Sequence, residues 1–124
     1  MIDDEIIAKA IEIYEIHGNA VSAIPTVELT YESTNGISST KYINRDHIWK
    51  THTPQIYNRK ELIEVYEIAK NESDFPKYAS TTEIYCSHNK PIFFSQSKTT
   101  NIKITYPEDY NLLSALINLG MQNE

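Results

Sequence analysis

Apolar residues recur at three-to-four spacing from Asp4 onward: Ile6, Ile7, Ala10, Ile13, Tyr14 and His17 share one stripe. That period predicts an amphipathic helix over residues 4–17. Asp4 and Glu5 crowd its first turn, where the helix dipole favours negative charge, and Gly18-Asn19 supplies a left-handed stop. The pattern then changes. Ala20 to Ile24 is a small, largely apolar run closed by Pro25, as expected of a buried strand covered on both faces. From Thr26 to Ile43 polar and β-branched residues alternate around Asn35-Gly36, a strong hairpin signal. The expected element is a two-stranded β-arm at about 26–43 that stands off the core. An isolated ribbon is marginally stable in water, so the arm predicts a partner surface and hence a homodimer.

Beyond the arm a strand is expected from His47 to Thr51, ending at Thr53-Pro54-Gln55. Asn58-Arg59-Lys60-Glu61 is an N-cap box opening a helix to about Lys70, with Leu62, Ile63, Tyr66 and Ala69 on one face. Asn71 to Tyr78 has the composition of a loop. Ser80-Thr81-Thr82-Glu83 is a second box, for a short helix ending near His88-Asn89. Strands are expected at Pro91 to Ser95 and Asn101 to Ile104, with a polar loop between. Thr105-Tyr106-Pro107-Glu108 is a third box with proline in the first turn. The last helix is expected to bury Leu112, Leu113, Leu116 and Ile117 and to end at Gly120. Strands mixed with helices in this order indicate a layered α/β fold.

Composition narrows the function more than the fold. The 124 residues have room for one domain, and 40% hydrophobic with 23% charged residues is a globular balance. A net charge of −6 argues against general affinity for nucleic acid or anionic membrane. No apolar run approaches the ~20 residues that span a bilayer. The opening Met1-Ile2-Asp3-Asp4-Glu5 is acidic where a signal peptide is basic, so the expected location is cytoplasmic. The single cysteine, Cys86, is expected in the core, and His17 at a helix end or satisfied in the core. His47 and His52 have no carboxylate or cysteine at ligand spacing, so no metal site is expected. The three glycines form no glycine-rich turn of the kind that cradles a nucleotide.

Three places carry candidate chemistry. Alternation along Asn101-Ile102-Lys103-Ile104-Thr105 sets Lys103 on a polar face just before a capped helix, a compact positive site that suits phosphate oxygens. The plainer explanation for Lys103 is a protective lysine on an edge strand. At Thr53-Pro54-Gln55 a fixed proline sets a hydroxyl and an amide outward, usable for a polyol or a phosphate and equally ordinary as a rigid turn. Arg45, where the arm rejoins the core, has a guanidinium able to clamp a phosphate with paired hydrogen bonds, or to pair with Asp46 or Glu28.

These segments together resemble one family. Arg45-Asp46-His47-Ile48-Trp49-Lys50-Thr51-His52-Thr53-Pro54-Gln55 is similar to the R-x-x-L-W-x-x-Q-T-P-Q segment of methylerythritol-phosphate cytidylyltransferases (IspD-like) and of ribitol-phosphate cytidylyltransferases (TarI-like). Asn101 to Thr105 with Pro107-Glu108-Asp109 resembles their N-I-K-[IV]-T-x-P-E-D, and Gly18 to Pro25 their G-A-A-x-x-A-x-P strand. The resemblance covers nearly the whole chain but only the second half of a family member. It implies a partial domain over residues 1–124, the C-terminal portion of a Rossmann-like nucleotide-diphospho-sugar transferase fold carrying the arm. It implies a reaction in which CTP and a polyol phosphate give a CDP-polyol and pyrophosphate. By the same resemblance, Arg45 reaches from the arm into the partner copy's site and Thr53 lines the substrate site. Lys103 contacts the phosphates where the new linkage forms, as the catalytic cation. Mg²⁺ is the implied cofactor, with no residue of this chain identifiable as its ligand.

Departures from the pattern are specific. The family's D-T at the arm reads Glu28-Leu29, leaving Thr30 one place late as the substrate-binding threonine. Ser80 keeps a helix cap but lacks the charge of the family's aspartate. His52 stands at the first Gln of Q-T-P-Q, and Ser97 where a glycine is expected. Two readings follow. In one the chain supplies the polyol-phosphate site and dimer arm of a cytidylyltransferase whose CTP-binding half lies elsewhere, the isolated chain being inactive. In the other it is a truncated or diverged remnant acting only as a dimerising or binding module.

Overall fold

The computed structural model describes residues 2–73 and 75–121. Met1 and position 74 of the expected 71–78 loop lie outside the described residues.

Helix α1 spans Asp4–His17, as its periodicity predicts. Asp3 caps it, its carboxylate accepting from the Ile6 amide at 2.9 Å, and Gly18 closes it at φ +84°, a left-handed value that glycine takes without strain. Strand β1, Asn19–Pro25, follows at once and is the centre of a three-stranded sheet. Residues Asn19 through Ala23 are all buried, because β1 has a strand on each side and α1 packed nearby. Its neighbours are β4, Trp49–Tyr57, running antiparallel, and β5, Phe94–Gln96, running parallel. Ser22 and Ser95, fully buried side by side, share a hydrogen bond at 3.3 Å.

The arm is present and differs in detail from its expectation. Its paired strands are short, β2 Thr30–Glu32 and β3 Lys41–Ile43, and eight residues join them. The Asn35 side chain accepts from the Ile37 and Ser38 amides and Gly36 sits at φ +69°, so Asn35-Gly36 turns the chain inside a wider loop rather than in a two-residue hairpin.

Helix α2, Arg59–Ala69, begins as expected at Asn58, whose side chain accepts from the Lys60 and Glu61 amides. Glu61 does not complete the box; it pairs with Lys90 at 2.9 Å instead. Helix α3, Thr81–Ser87, is capped by Ser80, and here Glu83 does reach back, to the Ala79 amide. Val65, Ala69, Ile84 and Tyr85 form a buried cluster between these two helices. Cys86 lies on the opposite face of α3 and is exposed, not in the core. His17 is exposed and stacks flat on Phe93 at 4.1 Å.

Three expectations are corrected. β4 begins at Trp49, after a short 3₁₀ turn at Arg45–His47, and runs on through Thr53-Pro54 to Tyr57, because pairing with β1 as far as Asn19↔Tyr57 continues past the proline. Residues 101–104 form no strand and pair with no neighbouring strand; Asn101 is held by its amide to Lys98 O and by its side chain to Thr53 O. Helix α4, Pro107–Met121, exposes Leu112 and Ile117 instead of burying them and leaves Leu113 and Leu116 half-buried. Its cap also sits one residue later than expected: Asp109, not Glu108, accepts from the Thr105 and Tyr106 amides.

Candidate functional site

The β1–β4 ladder breaks where the candidate residues lie. Val21 pairs with Gln55 and Ala23 with Thr51, so His52, Thr53 and Pro54 stand opposite Ser22 alone. The surplus residues form a bulge, within which the Thr53–Pro54 peptide is cis. A bulge frees backbone groups from the ladder, and those groups need other partners.

The partner comes from the far side of the sheet. The chain leaves β5 with the Ser97 amide donating to Ala23 O at 3.0 Å, then turns, the Asn101 amide donating to Lys98 O at 3.0 Å. This turn buries Asn101 and aims its side-chain amide at the bulge. Asn101 Nδ2 donates to Thr53 O at 2.6 Å and to Ser97 Oγ at 3.1 Å. Ser97 Oγ lies 3.2 Å from His52 Nδ1. The turn is also tied to α1, where Lys98 Nζ meets Asp3 at 2.7 Å and Glu5 at 2.6 Å.

These ties create an open cleft of about 330 Å³. Thr51, His52, Thr53 and Gln55 line it from β4, Ser80 from the start of α3, and Asn101, Ile102 and Lys103 from the turn. No carboxylate among the described residues lines it. Gln55 Oε1 accepts from the Tyr57 hydroxyl at 3.0 Å, which leaves the two amide donors of Gln55 for other partners. The Lys103 ammonium is exposed and pairs with no carboxylate among the described residues. Burial holds the His52 imidazole below its usual pKa, and Lys50 pushes in the same direction. A cleft to which the described residues bring an unpaired cation, amide donors and hydroxyls, and no acid, suits an anion bearing hydroxyl groups.

Thr53 and Lys103, 50 positions apart in sequence, therefore meet at one cleft, Lys103 reaching it from a turn rather than from an edge strand. Arg45 and Thr30 do not line it within a single chain. Arg45 is exposed at the root of the arm and pairs with neither Asp46 nor Glu28; its Nη1 donates to Val27 O at 3.3 Å. Glu28 is taken by Lys50 at 2.7 Å. Thr30 sits on β2, its hydroxyl directed at Glu28 O. The sequence offers the Gln55 amide as a polyol or phosphate donor but does not single out Asn101 as a functional residue. Asn101 was legible only as the first letter of a motif, since its role depends on contacts 48 residues away.

Comparisons with known proteins show the family and the fold. The profile of the family described as "IspD: 2-C-methyl-D-erythritol 4-phosphate cytidylyltransferase" matches residues 1–119. A 2-C-methyl-D-erythritol 4-phosphate cytidylyltransferase of Wigglesworthia glossinidia brevipalpis is 34% identical over 100 residues, 80% of this chain and 42% of the relative. A ribitol-5-phosphate cytidylyltransferase of Lacticaseibacillus paracasei is 25% identical over 120 residues, 94% of this chain and 50% of the relative. In three dimensions the chain is similar to 4-diphosphocytidyl-2C-methyl-D-erythritol synthase of Anaerococcus prevotii, with a TM-score of 0.80 at 19% identity over 94% of this chain and 53% of that one. The chain thus spans about half the length of the relatives it matches.

Proposed function

Because the chain belongs to the 2-C-methyl-D-erythritol 4-phosphate cytidylyltransferase family, we propose that its cleft is the polyol-phosphate site of an enzyme that joins CTP to a polyol phosphate. The supporting observation is the meeting of Thr53 and Lys103 in a cleft that no acid among the described residues lines. The substrate's phosphate lies against the Lys103 ammonium, and its hydroxyls are met by Thr53 and Gln55. When that phosphate attacks the α-phosphate of CTP, negative charge builds at the junction, and a fixed cation there lowers the barrier by electrostatic stabilisation. Lys103 is the catalytic cation in this reading. CTP itself is held by residues outside this chain, in the half of the fold that the relatives carry and these residues do not match.

Arg45 joins the site from a second copy. Its guanidinium is exposed, has no acidic partner among the described residues and lies at the root of the arm, from which it reaches the cleft of the copy that the arm embraces. Thr30 on the same arm accompanies it as a substrate-binding residue. Mg²⁺, the cofactor that the resemblance implies, would supply positive charge to the triphosphate. The donor set of the cleft, hydroxyls, amides, an imidazole and a lysine, does not suit that hard cation, so no step is assigned through it here.

The test titrates the chain with 2-C-methyl-D-erythritol 4-phosphate, ribitol 5-phosphate and CTP-Mg²⁺, followed by the amide signals of Thr53 and Lys103. A polyol phosphate is expected to shift both, and CTP-Mg²⁺ neither. If the CTP-binding half of a relative is then supplied, Lys103→Ala is expected to lower turnover by about two to three orders of magnitude, as loss of a transition-state charge contact does. Binding of polyol phosphate without any turnover in the completed enzyme favours the diverged, non-catalytic module. No response to either phosphate overturns the assignment of the cleft.

A further inference from the structure

The bulge and the turn are joined by a chain of hydrogen bonds whose direction is set at one end. Thr53 O can only accept, so the side chain of Asn101 must face it with its NH₂ group. The same Nδ2 donates to Ser97 Oγ, which spends an acceptor site of that hydroxyl and leaves its single proton for another partner. The neighbour available to that proton is His52 Nδ1, 3.2 Å away. The imidazole is therefore polarised: Nδ1 bare and accepting, Nε2 carrying the hydrogen. Partial burial, which disfavours the charged ring, agrees with that state. Ser97 is buried and fixed through its own amide to Ala23 O, so the acceptor end of the ring is held by the sheet rather than by a mobile side chain.

His52 lines the same cleft as Thr53 and Lys103, and Nε2 has no hydrogen-bond partner among the described residues. We propose that His52, oriented by Ser97 and Asn101, is a ligand-binding residue that donates its Nε2–H to the polyol phosphate and so helps to determine which polyol is accepted. The proposal rests on the assignment of the cleft above and adds a donor that neither motif residue supplies. A neutral N–H is suited to a hydroxyl or a phosphate oxygen and imposes direction, whereas the Lys103 ammonium attracts any anion. It also gives a physical role to two departures from the family pattern at once. His52 and Ser97 replace a glutamine and a glycine, and the two replacements bond to each other.

The experiment uses the full chain, its histidines labelled with ¹⁵N, and two probes: ribitol 5-phosphate and 2-C-methyl-D-erythritol 4-phosphate. Two-bond nitrogen–proton correlations are expected to show His52 as the Nε2–H tautomer at neutral pH, and Ser97→Ala to turn it into a mixture. At least one probe is expected to shift Nε2 of His52 with the same midpoint as the Lys103 amide. His52→Leu is expected to weaken that binding about tenfold, the scale of one lost directional hydrogen bond. His52→Gln, which keeps an N–H donor, is expected to recover most of it. A ring protonated on Nδ1, or His52→Leu binding as tightly as the unaltered chain, overturns the inference while leaving the cleft assignment intact. Absence of any response at Lys103 as well as His52 overturns both.

Discussion

The side-chain amide of Asn101 donates to the carbonyl oxygen of Thr53 across 2.6 Å, and this bond joins the two halves of the candidate site. Thr53 O is free to accept it because the bulge in β4 takes residues 52–54 out of the ladder. Asn101 is buried, so its loss cannot be made good by bulk solvent without opening the turn. Asn101→Ala is expected to lower stability by about 1–3 kcal/mol, the range for leaving a buried polar group unpaired. Urea unfolding of the variant checks this, and an unchanged midpoint would show that the bond carries no weight. Asn101→Asp is expected to cost more, because a carboxylate would face the Thr53 carbonyl.

That relationship also marks the boundary of what was legible in the sequence. Signals contained within one turn were readable: the span of α1, the caps at Asn58 and Ser80, and the burial of β1 from Asn19 to Ala23, although Ile7 and His17 of the expected α1 stripe are exposed. What depended on a distant partner was not. Thr53-Pro54 looked like the end of a strand, since proline removes a ladder donor, yet pairing with β1 carries β4 on to Tyr57. Residues 101–104 alternate like a strand but have no neighbouring strand to join, and Asn101 is held by side-chain bonds instead. The stripe on α4 is real, but a stripe does not say what covers it, and in the single chain Leu112 and Ile117 remain exposed. Thr53 and Lys103 could each be picked out from their local setting, but their meeting depends on Asn101 and could not be read from spacing.

Lys98 anchors the same turn to α1 by ion pairs that respond to pH in a definite direction. Its hydrogen bond is the largest cause holding the Asp3 carboxyl below its ordinary value of 3.8, and it helps Lys9 to hold Glu5 below 4.5. Groups whose folded pKa is lowered stabilise above their unfolded values, and that stabilisation is lost as pH falls through the folded ones. Lys98 is raised above 10.5 by Asp3 and then Glu5, so its share is complete below that value and is lost only as pH rises through the raised one. Protection of the Ser97 amide, bonded to Ala23 O beside Lys98, against exchange relative to its intrinsic rate is expected to fall below about pH 4 and in high salt. Lys98→Ala is expected to remove most of both responses. Equal pH and salt dependence in the variant would assign the effect elsewhere.

Tyr85 offers a test of the core between α2 and α3. Its ring is wholly buried and packs on Tyr57 at 4.9 Å, while its hydroxyl has no hydrogen-bond partner among the described residues. Burial raises the hydroxyl pKa to about 12, with the charge of Glu61 contributing, so the group stays neutral throughout the range in which the protein is handled. A buried hydroxyl without a protein partner gives little back for its desolvation, so Tyr85→Phe is expected to leave stability unchanged or raise it by up to about 1 kcal/mol. Tyr85→Ala, which removes the ring, is expected to cost about 3–5 kcal/mol. Thermal unfolding of both variants measures the difference. A loss of more than about 1 kcal/mol in Tyr85→Phe would mean that the hydroxyl is bonded after all.

The arm is built to be held at its root and covered at its length. Glu28 takes the Lys50 ammonium at 2.7 Å and the Thr26 hydroxyl at 2.6 Å, and these contacts draw its carboxyl down to about 2. The Thr26 amide donates to Ile48 O at 3.0 Å, so the root remains joined to the sheet. Beyond it, Val27, Leu29, Tyr31 and Ile37 are all exposed in the single chain, Ile37 to 89%. A two-stranded ribbon carrying that much apolar surface is not stable alone in water, which is the physical ground for a second copy. Sedimentation equilibrium is expected to show a dimer at micromolar concentration. Leu29→Asp and Ile37→Asp are each expected to weaken it about ten- to a hundredfold, the equivalent of losing about 1.5–3 kcal/mol of side-chain burial. The Thr53 amide is expected to keep its position in either variant, because the cleft is built from β4 and the turn rather than from the arm. A chain that sediments as a monomer, with the arm variants indistinguishable from it, would remove the route by which Arg45 is brought to a neighbouring cleft.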